Sequence, residues 1–266
     1  MVEDYLSIIW KAREWPGRSV STNEIASTQS VTPSSVSANL KKLARDGLIE
    51  YTPYGHIGLT PAGNDIAVAV VRRHRVLETY LVERLGFGWD EVHHQADVLE
   101  HAVSDLVVDR MHEVLGHPDH DPHGHPIPRA DGTIESSRGR DSACRLSKME
   151  IATDGMVARI SDHEPAILRY LEERQIAIGS RIRLEERNPA AGSVSVMRLS
   201  PEGEPAGLVE IAVGAAGAVW VEFDRPRQKS GPGYLGATSP IESPEITSPA
   251  VVVASPMVPA AESTTP

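Results

Sequence analysis

The sequence has little cysteine and no long apolar run. Cys144 is the single cysteine among 266 residues, so the chain cannot form an internal disulfide or build a zinc or iron–sulfur site from several thiolates. The longest uninterrupted aliphatic run, residues 66–71, is far shorter than the ~18 apolar residues of a membrane span. The acidic start, with Glu3 and Asp4, is unlike a signal peptide. We therefore expect a cytoplasmic protein without a membrane partner, in which any metal is bound by histidines and carboxylates.

Composition and charge are uneven along the chain. Hydrophobic residues make up 40% of it, enough for ordinary cores, and the length predicts about two domains at ~150 residues each. A wholly disordered or fibrous chain is thereby excluded. The formal net charge of −11 argues against a polyanionic partner, yet the first 75 residues hold nine basic and seven acidic side chains. This segregation predicts an N-terminal part that can approach nucleic acid, followed by an acidic body.

Residues 1–60 carry the pattern of a winged helix. Apolar residues near helical spacing predict a first helix over residues 1–14. Ser21 or Thr22 caps a short second helix, and Thr32-Pro33 begins a third that ends near residue 46. Two β-type runs, 48–51 and 57–59, flank turn residues and predict a hairpin. Helix, helix-turn-helix and hairpin in this order form a winged-helix DNA-binding domain.

Residues 61–140 predict a helical domain. Thr60-Pro61 opens the longest helix, whose apolar period continues to Leu85. One further continuous helix is predicted from residue 89 to about residue 116. Residues 117–139 are rich in Pro, Gly, Asp and His without a period, which indicates an irregular connection. The helical layer is also the expected dimerisation surface, because a dimer would double the contacts with DNA.

The remaining residues predict a β-rich third domain and a tail. Residues 141–225 contain short β-type runs interrupted by a helix at 166–174, which is typical of a small β-barrel of the SH3-like or FeoA-like kind. The runs are 155–160, 181–186, 193–199, 208–213 and 218–223. Residues 226–266 hold eight of the twenty prolines and predict a disordered tail. The fold class is thus mainly α with a β-rich C-terminal domain.

The third predicted helix is expected to enter the DNA major groove. Its apolar residues Val36, Leu40 and Leu43 face the core, and the lysines toward its end meet phosphates. The expected DNA-contacting residues are Thr32, Ser34, Ser35, Ser37, Ala38, Asn39, Lys41 and Lys42. An alternative is that the Ser/Thr-rich start only caps a helix with a solvated face, and that the winged helix binds another protein.

Histidines and carboxylates recur at helical spacing in the second domain. His74 and Glu78 lie one turn apart on the long helix. The next helix carries a second stripe, formed by His93, Asp97, Glu100 and His101. Either stripe alone is consistent with a solvated helix face. If the layer is buried, the two stripes together need a cation to be tolerated, and six ligands exceed what one ion uses, so we expect two metal sites.

Five motifs together resemble a known family. They are Glu3-Asp4-Tyr5-Leu6 and the segments 72–78 (RRHRVLE), 91–93 (EVH), 97–101 (DVLEH) and 121–128 (DPHGHPIP). They are similar to the diphtheria toxin repressor family of metal-dependent regulators, especially its manganese transport regulator branch, over about residues 1–225. The resemblance implies a homodimer that binds double-stranded operator DNA when loaded with metal and represses metal-uptake genes. It implies neither an enzyme nor a small organic substrate.

The resemblance also implies which residues bind metal. The primary site would use Asp4, Asp97, Glu100 and His101. The ancillary site would use His74, Glu78 and His93, completed from the third domain by Glu164, with Asp162 as a near alternative. Iron-responding relatives have methionine and cysteine at the positions of Asp4 and Asp97, and two carboxylates suit Mn²⁺ better. We therefore expect about two Mn²⁺ per subunit, with Fe²⁺ as the alternative and Co²⁺ or Zn²⁺ able to substitute.

The same residues are also consistent with other functions. The regulator could respond to iron, the carboxylates and histidines could form a di-metal enzyme site, or the winged helix could act independently of metal. The four histidines of the connection, His117, His120, His123 and His125, suggest either a metal store or a structural linker, and the linker is the preferred interpretation.

Overall fold

The N-terminal region folds in the predicted order of three helices and a hairpin. The computed structural model describes residues 1–14, 19–53, 55–134 and 143–223. The elements are α1 (Val2–Arg13), α2 (Thr22–Thr28), α3 (Pro33–Arg45), β1 (Ile49–Tyr51) and β2 (Ile57–Leu59). Ser21 forms a capping box with Glu24, and Thr32 caps α3 ahead of Pro33. The tail predicted at residues 226–266 lies outside the described residues.

The long helix α4 (Pro61–Leu85) connects two parts of the molecule. It begins after the cap Thr60 and ends at Gly86, whose positive φ of 74° suits glycine. Its first half supplies Ala67, Val68 and Val71 to the core of the winged helix. Its second half carries the histidine and carboxylate residues, so one rigid element places them relative to α1.

The prediction of a single helix over residues 89–116 is wrong. The structure has two helices, α5 (Val92–Leu99) and α6 (Asp105–Val114), separated by a turn. Arg73 on α4 donates a hydrogen bond from Nε to the Glu100 carbonyl oxygen at 2.9 Å. A continuous helix would require that carbonyl to accept from the amide four residues later. The break leaves His101 in the turn rather than on a helix.

The connection after α6 is irregular, as predicted, but its middle is buried. His120 and Pro126 form an isolated antiparallel bridge, and Ile127 packs against Val76 and Val108 of α4 and α6. Gly124 has a φ of 84°, and a Cβ there would lie 2.1 Å from the Ala158 carbonyl oxygen. Glycine therefore allows the connection to approach the third region closely.

The third region contains one antiparallel sheet of six strands. In chain order its elements are β3 (Ala143–Arg145), β4 (Asp154–Ile160), α7 (Pro165–Glu172), β5 (Arg181–Asn188), β6 (Ser193–Leu199), β7 (Pro205–Ala212), α8 (Val213–Ala218) and β8 (Val219–Glu222). The strand order is β3-β8-β4-β5-β6-β7, so β3 and β7 are the edges. The sequence predicted neither β3 nor α8. Leu168, Leu171 and Ala216 of the two helices are buried against the sheet.

The loop before α7 begins at a contact with the buried connection that follows α6. The Ile160 amide donates to the His123 carbonyl oxygen at 3.0 Å. This contact holds the segment from residue 161 to residue 164 near α4 and α5. Within the described part of the chain, no helix is long and apolar enough to cross a membrane.

Candidate metal centre

An outer group of ligand atoms joins the first turn of α1 to the turn after α5. His101 Nε2 lies 2.8 Å from Asp4 Oδ1 and 3.5 Å from Glu100 Oε1. Asp4 Oδ1 is buried, yet it accepts no hydrogen bond from the described residues. A buried carboxylate oxygen beside a ring nitrogen and a second carboxylate is an arrangement that a divalent cation would satisfy.

His74 lies between the outer group and a second, inner group. Its Nδ1 is 2.7 Å from Glu100 Oε2 and 3.4 Å from Asp97 Oδ1. Its Nε2 is 3.0 Å from Glu78 Oε1 and 3.1 Å from His93 Nδ1. The side chain is 2% exposed, so both nitrogens are shielded from water. The resemblance placed His74 in the ancillary site alone, whereas the ring faces both groups of ligand atoms.

The inner group consists of His74, Glu78, His93 and Asp162, which lie close enough to hold one ion. His93 Nδ1 is 3.0 Å from Glu78 Oε1 and 3.3 Å from Asp162 Oδ2. The Glu78 side chain is completely buried, and Asp162 is nearly so. Residues from α4, α5 and the loop before α7 therefore meet at one point.

Glu164 does not belong to this group. It is the N-cap residue of α7, it is exposed, and it lines the wider cavity rather than the cluster of ligand atoms. The structure brings Asp162 to His93 instead, so the placement of Glu164 is corrected in favour of the alternative, Asp162. Local spacing could not distinguish two carboxylates two residues apart in a loop whose direction is set by a distant contact.

Sequence reasoning missed the part that the buried connection plays. His123 Nε2 donates to the Trp89 carbonyl oxygen at 2.7 Å, and its Nδ1 lies 3.7 Å from Glu78 Oε2. His123 Nδ1 and Glu78 Oε2 each lack a hydrogen-bond partner among the described residues. Asp121, His123 and His125 form a further buried group. The closely spaced histidines of the motif 121–128 were the available signal.

His125 is oriented by a carboxylate. Its Nδ1 lies 3.1 Å from Asp121 Oδ2, while Asp121 Oδ1 accepts the backbone amides of His123 and His125. A carboxylate that fixes one ring nitrogen leaves the other for a ligand, as is usual for metal-binding histidines. His125 and Asp162 line the same cavity.

The inner group holds negative charge at neutral pH. Burial would raise the pKa of Glu78, but the charge of His74 and the neighbouring rings keep it well below its usual range. Burial likewise opposes ionisation of Asp162, whose pKa is lowered by His125 and His93. Both carboxylates are therefore ionised at neutral pH.

Two of the buried histidines, His74 and His123, bind protons strongly. Burial would lower the pKa of His74, and Lys11 acts in the same direction, but Glu78 and Glu100 raise it to about 9. Burial would also lower the pKa of His123, which the Glu78 carboxylate raises to about 10.

A cavity of ≈770 Å³ gives access to both groups. Its walls come from α1, α2, α4, α5, the loop before α7 and the segment around α8. All donors are nitrogen or oxygen atoms, since Cys144 lies away from these groups on β3. The donor set therefore fits Mn²⁺ or Fe²⁺ and lacks the thiolates that mark structural zinc sites.

Metal binding is expected to strengthen as the pH rises. A ring nitrogen must lose its proton before it binds metal, and His74 and His123 keep theirs up to about pH 9 and 10. Each displaced proton should therefore change the apparent affinity by about tenfold per pH unit below these values. Mn²⁺ titrations from about pH 6 to about pH 8, with proton release measured in parallel, check this. An affinity independent of pH would contradict histidine ligation.

The residues expected to contact DNA lie on α3 or at its N-cap, and two of them are less exposed than the rest. Ser34, Ser35 and Ala38 are exposed together with both lysines, while Thr32 caps the helix and contacts the two serine hydroxyls. Ser37 is half-buried. Asn39 is also half-buried, because its Nδ2 donates to Tyr5 Oη on α1 at 3.0 Å. Tyr5 directly follows Asp4, so the turn of α1 that carries Asp4 contacts α3.

Comparison with known proteins identifies all three regions of the chain. Residues 1–57 match the N-terminal DNA-binding domain of iron-dependent repressors, residues 60–129 match their metal-binding and dimerisation domain, and residues 144–222 match the FeoA domain. The iron-dependent repressor IdeR of Mycobacterium leprae is 33% identical over 182 residues, which cover 67% of this chain and 74% of that protein. The diphtheria toxin repressor of Corynebacterium diphtheriae is 27% identical, covering 70% and 84%.

Solved structures are similar over most of the chain. A manganese-dependent transcriptional repressor in complex with manganese is 43% identical, with a TM-score of 0.76 over 84% of this chain and all of that one. The manganese regulator SloR is 31% identical, with a TM-score of 0.67 over 84% and 98%. The three domain matches confirm the predicted fold class of winged helix, helical domain and FeoA-like β-rich domain. The chain belongs to the diphtheria toxin repressor family of metal-dependent, DNA-binding transcriptional repressors, which are not enzymes.

Proposed function

We propose that this chain is a homodimeric repressor that Mn²⁺ activates for binding to operator DNA at metal-uptake genes. The observation that carries the proposal is the contact of Asp4, on the first helix of the winged helix, with His101 and Glu100 of the helical region. One ion at this contact would join the DNA-reading part to the rest of the molecule.

The donor atoms favour manganese. The outer group offers carboxylates from Asp4 and Glu100 with the His101 imidazole, and a neighbouring group that shares Glu100 adds Asp97 and His74. Hard oxygen donors of this kind suit Mn²⁺. A similar solved structure is named for its manganese complex, whereas similar curated proteins are named as iron-dependent repressors. Fe²⁺ is therefore the alternative activator, and selectivity has to come from geometry and metal availability.

The residues of the outer group fix an orientation. An ion bound there would supply the positive charge that lets the carboxylates of Asp4 and Glu100 lie together. Asp4 is thereby held against the turn after α5, and α1 keeps α3 in place through Tyr5 and Asn39. If this arrangement is the one that binds DNA, metal raises DNA affinity, and linkage requires DNA to raise metal affinity by the same factor.

The inner group connects the third region to the other two. Glu78 and His93 come from α4 and α5, and Asp162 from the loop before α7. His123 could add a further ligand, because its Nδ1 has no hydrogen-bond partner among the described residues and faces Glu78 Oε2 at 3.7 Å. We propose that the inner ion is bound by His74, Glu78, His93 and Asp162, with about two ions per subunit in all.

The DNA contact is proposed for α3. Ser34, Ser35 and Ala38 are short side chains that permit close approach to base edges, while Lys41 and Lys42 are placed for phosphates. Thr32, Ser37 and Asn39 support or border this surface. With few long side chains, part of the specificity should come from DNA shape.

Selection from a random duplex pool tests the function. The full chain is incubated with the pool in chelator, Mn²⁺, Fe²⁺ or Zn²⁺, and the retained sequences are titrated individually. We expect retention of a two-fold symmetric sequence with Mn²⁺ and none with chelator. Equal binding in chelator would support a metal-independent regulator, and activation by Fe²⁺ alone at matched free metal would support the iron alternative.

Dimerisation is expected to use the outer faces of α5 and α6. Val98, Leu106, Val107 and Val114 are exposed apolar side chains there. Leu106→Glu should convert the dimer to monomers, because the change buries a charge at an apolar contact. Sedimentation velocity measures the change. Leu208→Glu, at a similarly exposed leucine on β7, is the matched control, and a dimeric Leu106→Glu protein would contradict this surface.

The two carboxylates before α7 should differ in their effect on metal binding. Asp162→Ala is expected to weaken the inner class of Mn²⁺ by at least about tenfold, since Asp162 lies 3.3 Å from His93 Nδ1. Glu164→Ala, which removes the same charge two residues away, should change it little. Free Mn²⁺ measured by electron paramagnetic resonance distinguishes the two. A larger loss in Glu164→Ala would restore Glu164 as the ligand.

A further inference from the structure

Glu3 contacts two groups that matter to the outer metal site. Its Oε2 lies 2.7 Å from His101 Nδ1, and its Oε1 accepts a hydrogen bond from Arg73 Nη2 at 3.1 Å. Neither carboxylate oxygen belongs to the clusters that could hold an ion. Glu3 thus lies behind the histidine, on the side away from Asp4.

The two nitrogens of His101 face different carboxylates. Nδ1 faces Glu3, while Nε2 faces Asp4 at 2.8 Å and Glu100 at 3.5 Å. A carboxylate that accepts the Nδ1 hydrogen keeps the lone pair of the neutral ring on Nε2 and fixes the ring plane. The lone pair is then directed toward Asp4 and Glu100.

Arg73 holds Glu3 in this position. Its guanidinium donates to Glu3, to Asp105 Oδ1 at 3.1 Å and, through Nε, to the Glu100 carbonyl oxygen. The same side chain therefore fixes the turn that carries Glu100 and His101 and the carboxylate that orients His101. The Arg73 side chain is 13% exposed, so its guanidinium is largely shielded from water.

We propose that Glu3 is a positioning residue that orients His101 for Mn²⁺ through its Nδ1 hydrogen. The proposal rests on the proposed function, because it assumes an ion at the outer group. It assigns Glu3 no direct bond to metal. It also gives α1 two neighbouring side chains with separate tasks, Asp4 as a ligand and Glu3 behind the histidine.

Three variants test the role of Glu3 by metal binding alone. Glu3→Ala removes the acceptor, Glu3→Gln keeps a carbonyl oxygen that can accept the Nδ1 hydrogen, and Glu83→Ala removes an exposed carboxylate of α4 as the charge control. Glu3 is 38% exposed at the start of a helix, so its truncation leaves the core intact. Metal-free thermal melts verify folding.

The readouts are free Mn²⁺ by electron paramagnetic resonance and the visible absorption spectrum of bound Co²⁺. We expect Glu3→Ala to weaken one of the two classes of Mn²⁺ by about 10–100-fold and to alter the Co²⁺ spectrum of that class. Glu3→Gln should recover most of the affinity and the wild-type spectrum. Glu83→Ala should match wild type in both measurements.

The outcomes separate this role from the proposed function. Wild-type affinity in Glu3→Ala, or equal losses in Glu3→Ala and Glu3→Gln, would overturn the positioning role while leaving Mn²⁺ activation intact. If the wild-type chain bound no Mn²⁺ at all, the proposed function would fail and the role of Glu3 with it.

Discussion

Asp4→Ala and His101→Ala are each expected to abolish the stimulation of DNA binding by metal. Each variant removes one side of the contact between α1 and the turn after α5, where His101 Nε2 and Asp4 Oδ1 are 2.8 Å apart. Coupling of this kind typically changes affinity by about 5–150-fold, and we expect the ratio of affinities with and without Mn²⁺ to fall to about one. Fluorescence anisotropy with a selected duplex measures that ratio.

The control for this loss is Asp65→Ala, which removes an exposed carboxylate from α4. It should keep the wild-type ratio, and all three variants should remain folded dimers in circular dichroism and sedimentation. Full stimulation in Asp4→Ala would show that the outer group does not transmit the metal signal. A loss of dimer in His101→Ala would make its DNA result uninformative about metal, so Asp4→Ala decides the outcome.

Glu14→Ala is expected to destabilise the protein by about 3–5 kcal/mol. Glu14, at the end of α1, binds the guanidinium of Arg75 through both carboxylate oxygens, and the two side chains are 4% and 2% exposed. Burial would raise the pKa of Glu14, but the Arg75 charge lowers it, so the carboxylate is ionised. Without the Glu14 carboxylate, the buried Arg75 guanidinium loses its principal negative partner. Urea denaturation of the metal-free protein measures the change.

Replacement of both partners distinguishes a lost ion pair from lost packing. Glu14→Leu combined with Arg75→Met removes both charges and keeps apolar volume, so it should be less destabilising than Glu14→Ala alone. Asp121 also lies 3.8 Å from Arg75 and limits how much the double variant recovers. A loss below about 1 kcal/mol in Glu14→Ala would mean that Asp121 alone compensates the arginine.

Local patterns predicted most of the elements that carry function. The caps Ser21, Thr32 and Thr60 marked three helix starts, because a side-chain acceptor for the first amides is a local requirement. The spacing of His74 and Glu78 on α4 was also readable, since residues four apart share a face of any helix. The motif that contains Asp4 became informative only through its resemblance to the family.

The sequence by itself determined the winged helix, the long helix and the type of metal donors, since capping, periodicity and the lack of thiolates act within short segments. The tertiary structure alone decided where α5 ends, because the hydrogen bond from Arg73 to the Glu100 carbonyl joins residues 27 positions apart. It also decided that Asp162 rather than Glu164 meets His93, and that His123 faces Glu78. These contacts depend on how separate elements pack, and the spacing of residues within one segment carries no information about that.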